Sequence, residues 1–120
     1  MNKKSYNLKK LNEISQGDHE FVRDMLATFI ENVTNDVSCI QQLKLTEDWN
    51  TIGETAHKLA SNFAYLGVDR LKEMAANIEK SVIIDNDLTY ISEKTEALCS
   101  EGISLVDEIK NDFFWFLGEM

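Results

Sequence analysis

Apolar residues recur along this chain at intervals of three and four, the spacing that keeps one face of a helix hydrophobic. Leu8, Leu11 and Ile14 share the face of a short first helix that Asn7 can cap and Gly17 can stop. Asp18 is the next cap candidate, and Val22, Leu26, Phe29, Val33, Val37, Ile40 and Leu43 predict a long amphipathic helix after it. Asp48 opens a third helix striped by Trp49, Ile52, Ala56, Leu59, Phe63 and Leu66, ending at Gly67. Asp69 caps a shorter helix with Leu71, Met74, Ala75, Ile78 and Val82 pointing inward. After the polar Asp85-Asn86-Asp87 cluster, a last helix follows through Ile91, Leu98, Leu105, Ile109, Phe113 and Phe116, with Thr95 and Gly102 as its weak points. The segments fall near residues 8–15, 19–44, 49–66, 70–83 and 88–116. Short turns between four long helices imply an all-α fold, an antiparallel four-helix bundle with a short additional N-terminal helix, in one domain over residues 1–120.

Composition agrees. A chain of 120 residues with 43% hydrophobic content suffices for one core. It contains no proline and only five glycines, too little punctuation for a many-stranded sandwich or barrel. The formal charge of −9, with only the first ten residues locally basic, argues against nucleic acid and for protein partners. No stretch approaches the roughly 20 apolar residues of a membrane span, and Lys3-Lys4 is not followed by a signal-type apolar run, so a cytoplasmic location without membrane contact is expected. Met1 followed by Asn2-Lys3-Lys4 suits a free-standing protein. Cys39 and Cys99 lack metal-site spacing and are expected as buried free thiols. The aromatic run Phe113-Phe114-Trp115-Phe116 is expected to close the bundle, or, if Phe114 or Trp115 is exposed, to make a partner contact.

His57 sits about 100° around the third helix from Ala56, beside the apolar stripe, where its imidazole can reach solvent. Its helical neighbours Gly53, Ala60, Ser61 and Ala64 are small, with Glu54 the only long side chain among them. Gly53 costs about 1 kcal/mol against alanine in a helix, which hints at close approach by another backbone. Such small residues equally suit packing by another helix of the same protein, and a lone helical histidine is commonly just a polar surface residue. Periodicity alone leaves function open.

Ala56-His57-Lys58-Leu59-Ala60-Ser61, followed by Phe63, Leu66-Gly67, Leu71, Met74, Ile78 and Glu79, resembles the histidine phosphotransfer family of bacterial-type phosphorelays. Gly17-Asp18, Glu20-Phe21, Phe29, Leu43 and Asp48-Trp49 extend the similarity upstream. The resemblance implies a phosphoryl carrier with His57 as phosphoacceptor, accepting from a receiver-domain aspartate and passing the group to another receiver. Implied partners are receiver domains of response regulators and hybrid sensor histidine kinases. Two positions depart from the family pattern: Ala60 stands where a lysine is usual, and Ser61 where a glycine is. Since a phosphoryl group brings about two negative charges, the missing lysine leaves Lys58 as a candidate phosphate contact, with Arg70 and Lys72 as others. Glu79 occupies the place from which some members orient the second imidazole nitrogen. Gly53, Ala60, Ser61, Ala64, Leu11, Met25 and Tyr65 are the expected partner-binding residues.

The chemistry is nucleophilic: one ring nitrogen of a neutral imidazole attacks an aspartyl phosphate while a hydrogen bond fixes the other. No Walker-type loop is present, so neither an ATP site nor a cofactor is expected, and the chain is a carrier, not an enzyme. Glu54-Thr55-Ala56-His57 matches the Glu-x-x-His unit of di-iron bundles but lacks a second copy, because Gln16 precedes the other histidine, His19, by three residues. No metal is expected. A monomer is anticipated, and the rival reading is a phosphorylation-independent helical adaptor of the same fold.

Overall fold

Aspartates start three of the four long helices, each accepting a backbone N–H that the first turn leaves without a partner. Asp18 accepts from Phe21 at 3.1 Å, Asp48 from Thr51 at 3.3 Å and Asp87 from Tyr90 at 3.1 Å. The computed structural model describes residues 5–117, apart from the side chains of residues 114, 115 and 117. Its helices are α1 (Lys9–Ser15), α2 (His19–Leu45), α3 (Trp49–Tyr65), α4 (Asp69–Lys80) and α5 (Leu88–Leu117), and a π-helical turn, Ser81–Asp85, continues α4. No strand occurs among the described residues. α4 begins differently from the others: Val68 holds the cap position and Asp69 is already helical, its charge facing the positive end of the helix dipole.

α3 lies between α2 and α4, and α5 closes the bundle against α2 and α4 from the other side. The expected stripes supply the core: Leu26, Val33, Ile40, Ile52, Leu59, Phe63, Ile78, Leu98 and Ile109 are all fully or almost fully buried. Each such aliphatic or aromatic side chain contributes roughly 1.5–3 kcal/mol of transfer free energy. Across the base of α1, the Asn7 N–H donates to the Leu66 carbonyl at 3.0 Å and its side chain packs on Gly67. A Cβ at Gly67 would come within 2.6 Å of Asn7 Nδ2, so that side-chain amide would have to move, and the φ of +70° is what favours glycine there.

Further details differ from expectation. The fourth helix does not run regularly to residue 83. It widens at Ser81, where the Asn86 N–H reaches back five residues to the Ser81 carbonyl at 2.5 Å. Val82-Ile83-Ile84, three β-branched residues in a row, are poor α-helix formers and cannot all face inward. Cys39 is exposed, since it projects about 100° away from the buried Ile40; only Cys99 is a buried thiol, its pKa pushed up to about 11 by burial. α5 continues through Thr95 and Gly102, as expected, but kinks at Phe113, with φ −122° and ψ 18°. There Phe113 meets Tyr6 at a ring separation of 6.1 Å, and the Tyr6 hydroxyl donates to Asp112 at 2.6 Å. Burial first, and then Asp112, raise the Tyr6 pKa. The Phe114 and Trp115 side chains, candidates for a partner contact, lie outside the described ones, as do Met1 to Lys4.

Candidate functional site

His57 stands in the middle of α3 with its side chain 67% exposed, and Glu79 approaches it from the last turn of α4. The two Glu79 oxygens lie 3.1 and 2.9 Å from His57 Nδ1. A carboxylate only accepts, so Nδ1 carries the proton and donates. In the neutral ring the lone pair then sits on Nε2, at the opposite edge of the imidazole. No described residue hydrogen-bonds that nitrogen. The arrangement combines a fixed tautomer with an outward-facing nucleophilic atom.

The surroundings follow from register. α3 and α4 run antiparallel, and Ala60, Ser61 and Ala64 continue the His57 stripe, Ser61 exposed and the two alanines half-buried. On α4 the matching stripe is Lys72, Ala76 and Glu79, with Lys72 about 10 Å along the axis from Glu79. Gly53 belongs to the same stripe but is buried. A Cβ there would lie 3.2 Å from Val82 Cγ1, so the space it leaves is filled by the protein's own π-turn, and a side chain, not a backbone, makes the close approach. Leu11 is likewise fully buried, its face turned into the core where α1 covers the bundle, and it offers no surface to a partner. Met25 is half-buried against the core. Tyr65, also half-buried, stacks on Phe29 with centroids 5.4 Å apart and carries the Lys10 ammonium 5.0 Å from its ring centroid.

Two of the three candidate cations, Lys58 and Arg70, are already engaged. Lys58 turns toward α2, where Nζ lies 3.6 Å from Asp36 Oδ1. Burial raises the Asp36 pKa and Lys58 opposes that shift. Arg70 forms a two-pronged pair with Glu101 of α5, one contact being Nη2 to Oε2 at 3.2 Å. Neither points at His57 in this state. Reading the sequence missed Asp36 as the partner of Lys58, and it missed Ile83 and Ile84, 73% and 66% exposed just beyond Glu79. The signal for the latter was present: a run of three branched apolar residues exceeds what one helix face can bury.

An all-helical bundle that presents a carboxylate-braced imidazole on an open face has the architecture of a phosphotransfer module, which works by docking a partner over a side chain. The Hpt domain model matches residues 24–111, well over half of the chain, and the chain belongs to that family. Hpt domains serve histidine phosphotransfer in phosphorelays, as phosphocarriers that interact with receiver domains. No curated protein and no solved structure matches the chain. None of the described helices is long and apolar enough to cross a membrane.

Proposed function

We propose that His57 accepts a phosphoryl group on Nε2 from the aspartyl phosphate of one receiver domain and passes it to the aspartate of another. The Nε2 lone pair attacks phosphorus, the N–P bond forms, the P–O bond to the aspartate breaks, and the aspartate leaves as a carboxylate. The ring then carries positive charge, and Glu79, accepting from Nδ1–H, stabilises it as well as holding the tautomer. The observation that carries the reading is this contact on an exposed ring. Reversal follows the same path, since the phosphoramidate is itself a high-energy linkage. Receivers of response regulators and hybrid sensor kinases are the partners on this reading, the protein acting as a cytoplasmic monomer with its His57 face uncovered.

Ala60 favours one other reading, a helical adaptor of the same fold that binds signalling proteins without carrying phosphate, because it removes the usual cation beside the phosphoryl group. Incubation with phosphorylated receivers distinguishes the two. Acid-labile, base-stable label on the wild type and none on His57→Gln is the expected result. Label retained by His57→Gln overturns the site, and no label from several receivers favours the adaptor.

A further inference from the structure

Ile83 and Ile84 are among the most exposed large apolar side chains described, at 73% and 66%. They sit four and five residues after Glu79, the separation at which an α-turn widening to a π-turn returns to the same side. Val82, by contrast, turns inward over Gly53, one turn before His57 on α3. The π-turn therefore splits the branched run, with one member packed beneath the histidine face and two left on its edge.

We propose that Ile83, flanked by Ile84, is the apolar anchor onto which a receiver domain docks when it reaches His57. The inference rests on the phosphotransfer reading given above. A standard interface covers about 800 Å² per partner, a patch of about 16 Å radius. Ile83 lies about 6 Å along the helix from the carboxylate that touches the imidazole. A receiver centred on Nε2 covers it. A second copy of the chain seated there would instead occlude the histidine on which the family's role depends. Leu45, 79% exposed, offers a matched control, because it lines the groove between α2 and α5 with Gln41, Cys99 and Ile103, on the side of the bundle away from α3 and α4.

The test compares wild type, Ile83→Asp, Ile83→Ala and Leu45→Asp with two phosphoryl donors: phosphoramidate, which needs no docking, and aspartyl-phosphorylated receiver domains. Phosphoramidate is expected to label His57 equally in all four. With the receiver that labels wild type fastest, the apparent KM should rise about tenfold for Ile83→Asp and less for Ile83→Ala, with Leu45→Asp unchanged. Equal transfer by Ile83→Asp and wild type overturns the anchor, as does an equal loss in Leu45→Asp. Ile83→Asp turning a dimer into a monomer with transfer intact assigns the patch to a second copy, and overturns it too. Labelling of wild type by phosphoramidate but by no receiver removes the receiver as occupant. Failure of both donors on wild type defeats the phosphotransfer reading itself.

Discussion

The two antiparallel pairs of this bundle, α3 with α4 and α2 with α5, each carry a glycine in mid-helix and use it differently. On α5, a Cβ at Gly102 would make ordinary contacts of 3.5 Å with Val37 and 3.7 Å with Phe63 and Val33. On α3, a Cβ at Gly53 would meet Val82 at 3.2 and 3.3 Å. The first glycine has room to spare inside a continuous apolar seam; the second is tightly filled by a turn that departs from α-helical form. Nearby side chains differ in the same way. The α2–α5 seam buries Cys99, whose thiol donates to the Val37 carbonyl at 3.8 Å, whereas the α3–α4 pair turns an imidazole and a carboxylate outward. Both pairs pack into the core, but only the α3–α4 pair departs from α-helical regularity at a π-turn and turns an imidazole outward beside it.

Four measurements would break or sharpen this contrast. Phe63 is fully buried and reaches from α3 to Gly102 of α5, so Phe63→Ala should cost about 3–5 kcal/mol in urea unfolding, still as one transition. Two separate transitions would mean that the pairs are independent units. The Cys99 thiol comes next. Its pKa is raised in the folded protein from 9.0 to about 11, so the unfolded chain loses this proton first and stability should fall as pH climbs through that window. The loss should be on the order of 2 kcal/mol by the top of the window and should shrink in Cys99→Ala. An unchanged alkaline slope in the variant would remove the seam thiol from the explanation.

Glu79→Ala should slow receiver-dependent labelling of His57 by about tenfold, the loss of one charge-assisted hydrogen bond, with folding stability nearly unchanged. In nitrogen NMR the His57 ring should then populate both tautomers, and Glu79→Gln, whose amide oxygen still accepts, should restore the Nδ1–H form. A wild-type tautomer retained in Glu79→Ala would show that Glu79 does not position the ring. The smallest effect separates the glycines. Gly102→Ala should stabilise by about 0.5–1 kcal/mol through helix propensity, while Gly53→Ala should gain less, because Val82 must give way. Equal gains at both positions would show that the π-turn yields freely.

Much of this was legible in the chain itself. Periodicity of three and four, aspartates before Phe21, Thr51 and Tyr90, and glycines at 17 and 67 define the helices and their turns, because these are local properties of backbone hydrogen bonding and side-chain phase. The position of His57 beside the apolar stripe is likewise local, since the helical repeat alone turns it off the buried face. Pairing across helices is not. That Glu79 meets Nδ1, that Lys58 leans to Asp36 and Arg70 to Glu101, that Val82 fills the hollow at Gly53, and that Leu11 is core all depend on the relative height and rotation of two helices. Those quantities come from the packing of the whole core, in which many side chains settle together, so no short stretch of sequence contains them. The sequence by itself determined that an imidazole stands off the buried face of α3; only the tertiary structure decided that Glu79 takes its Nδ1 and leaves Nε2 facing out.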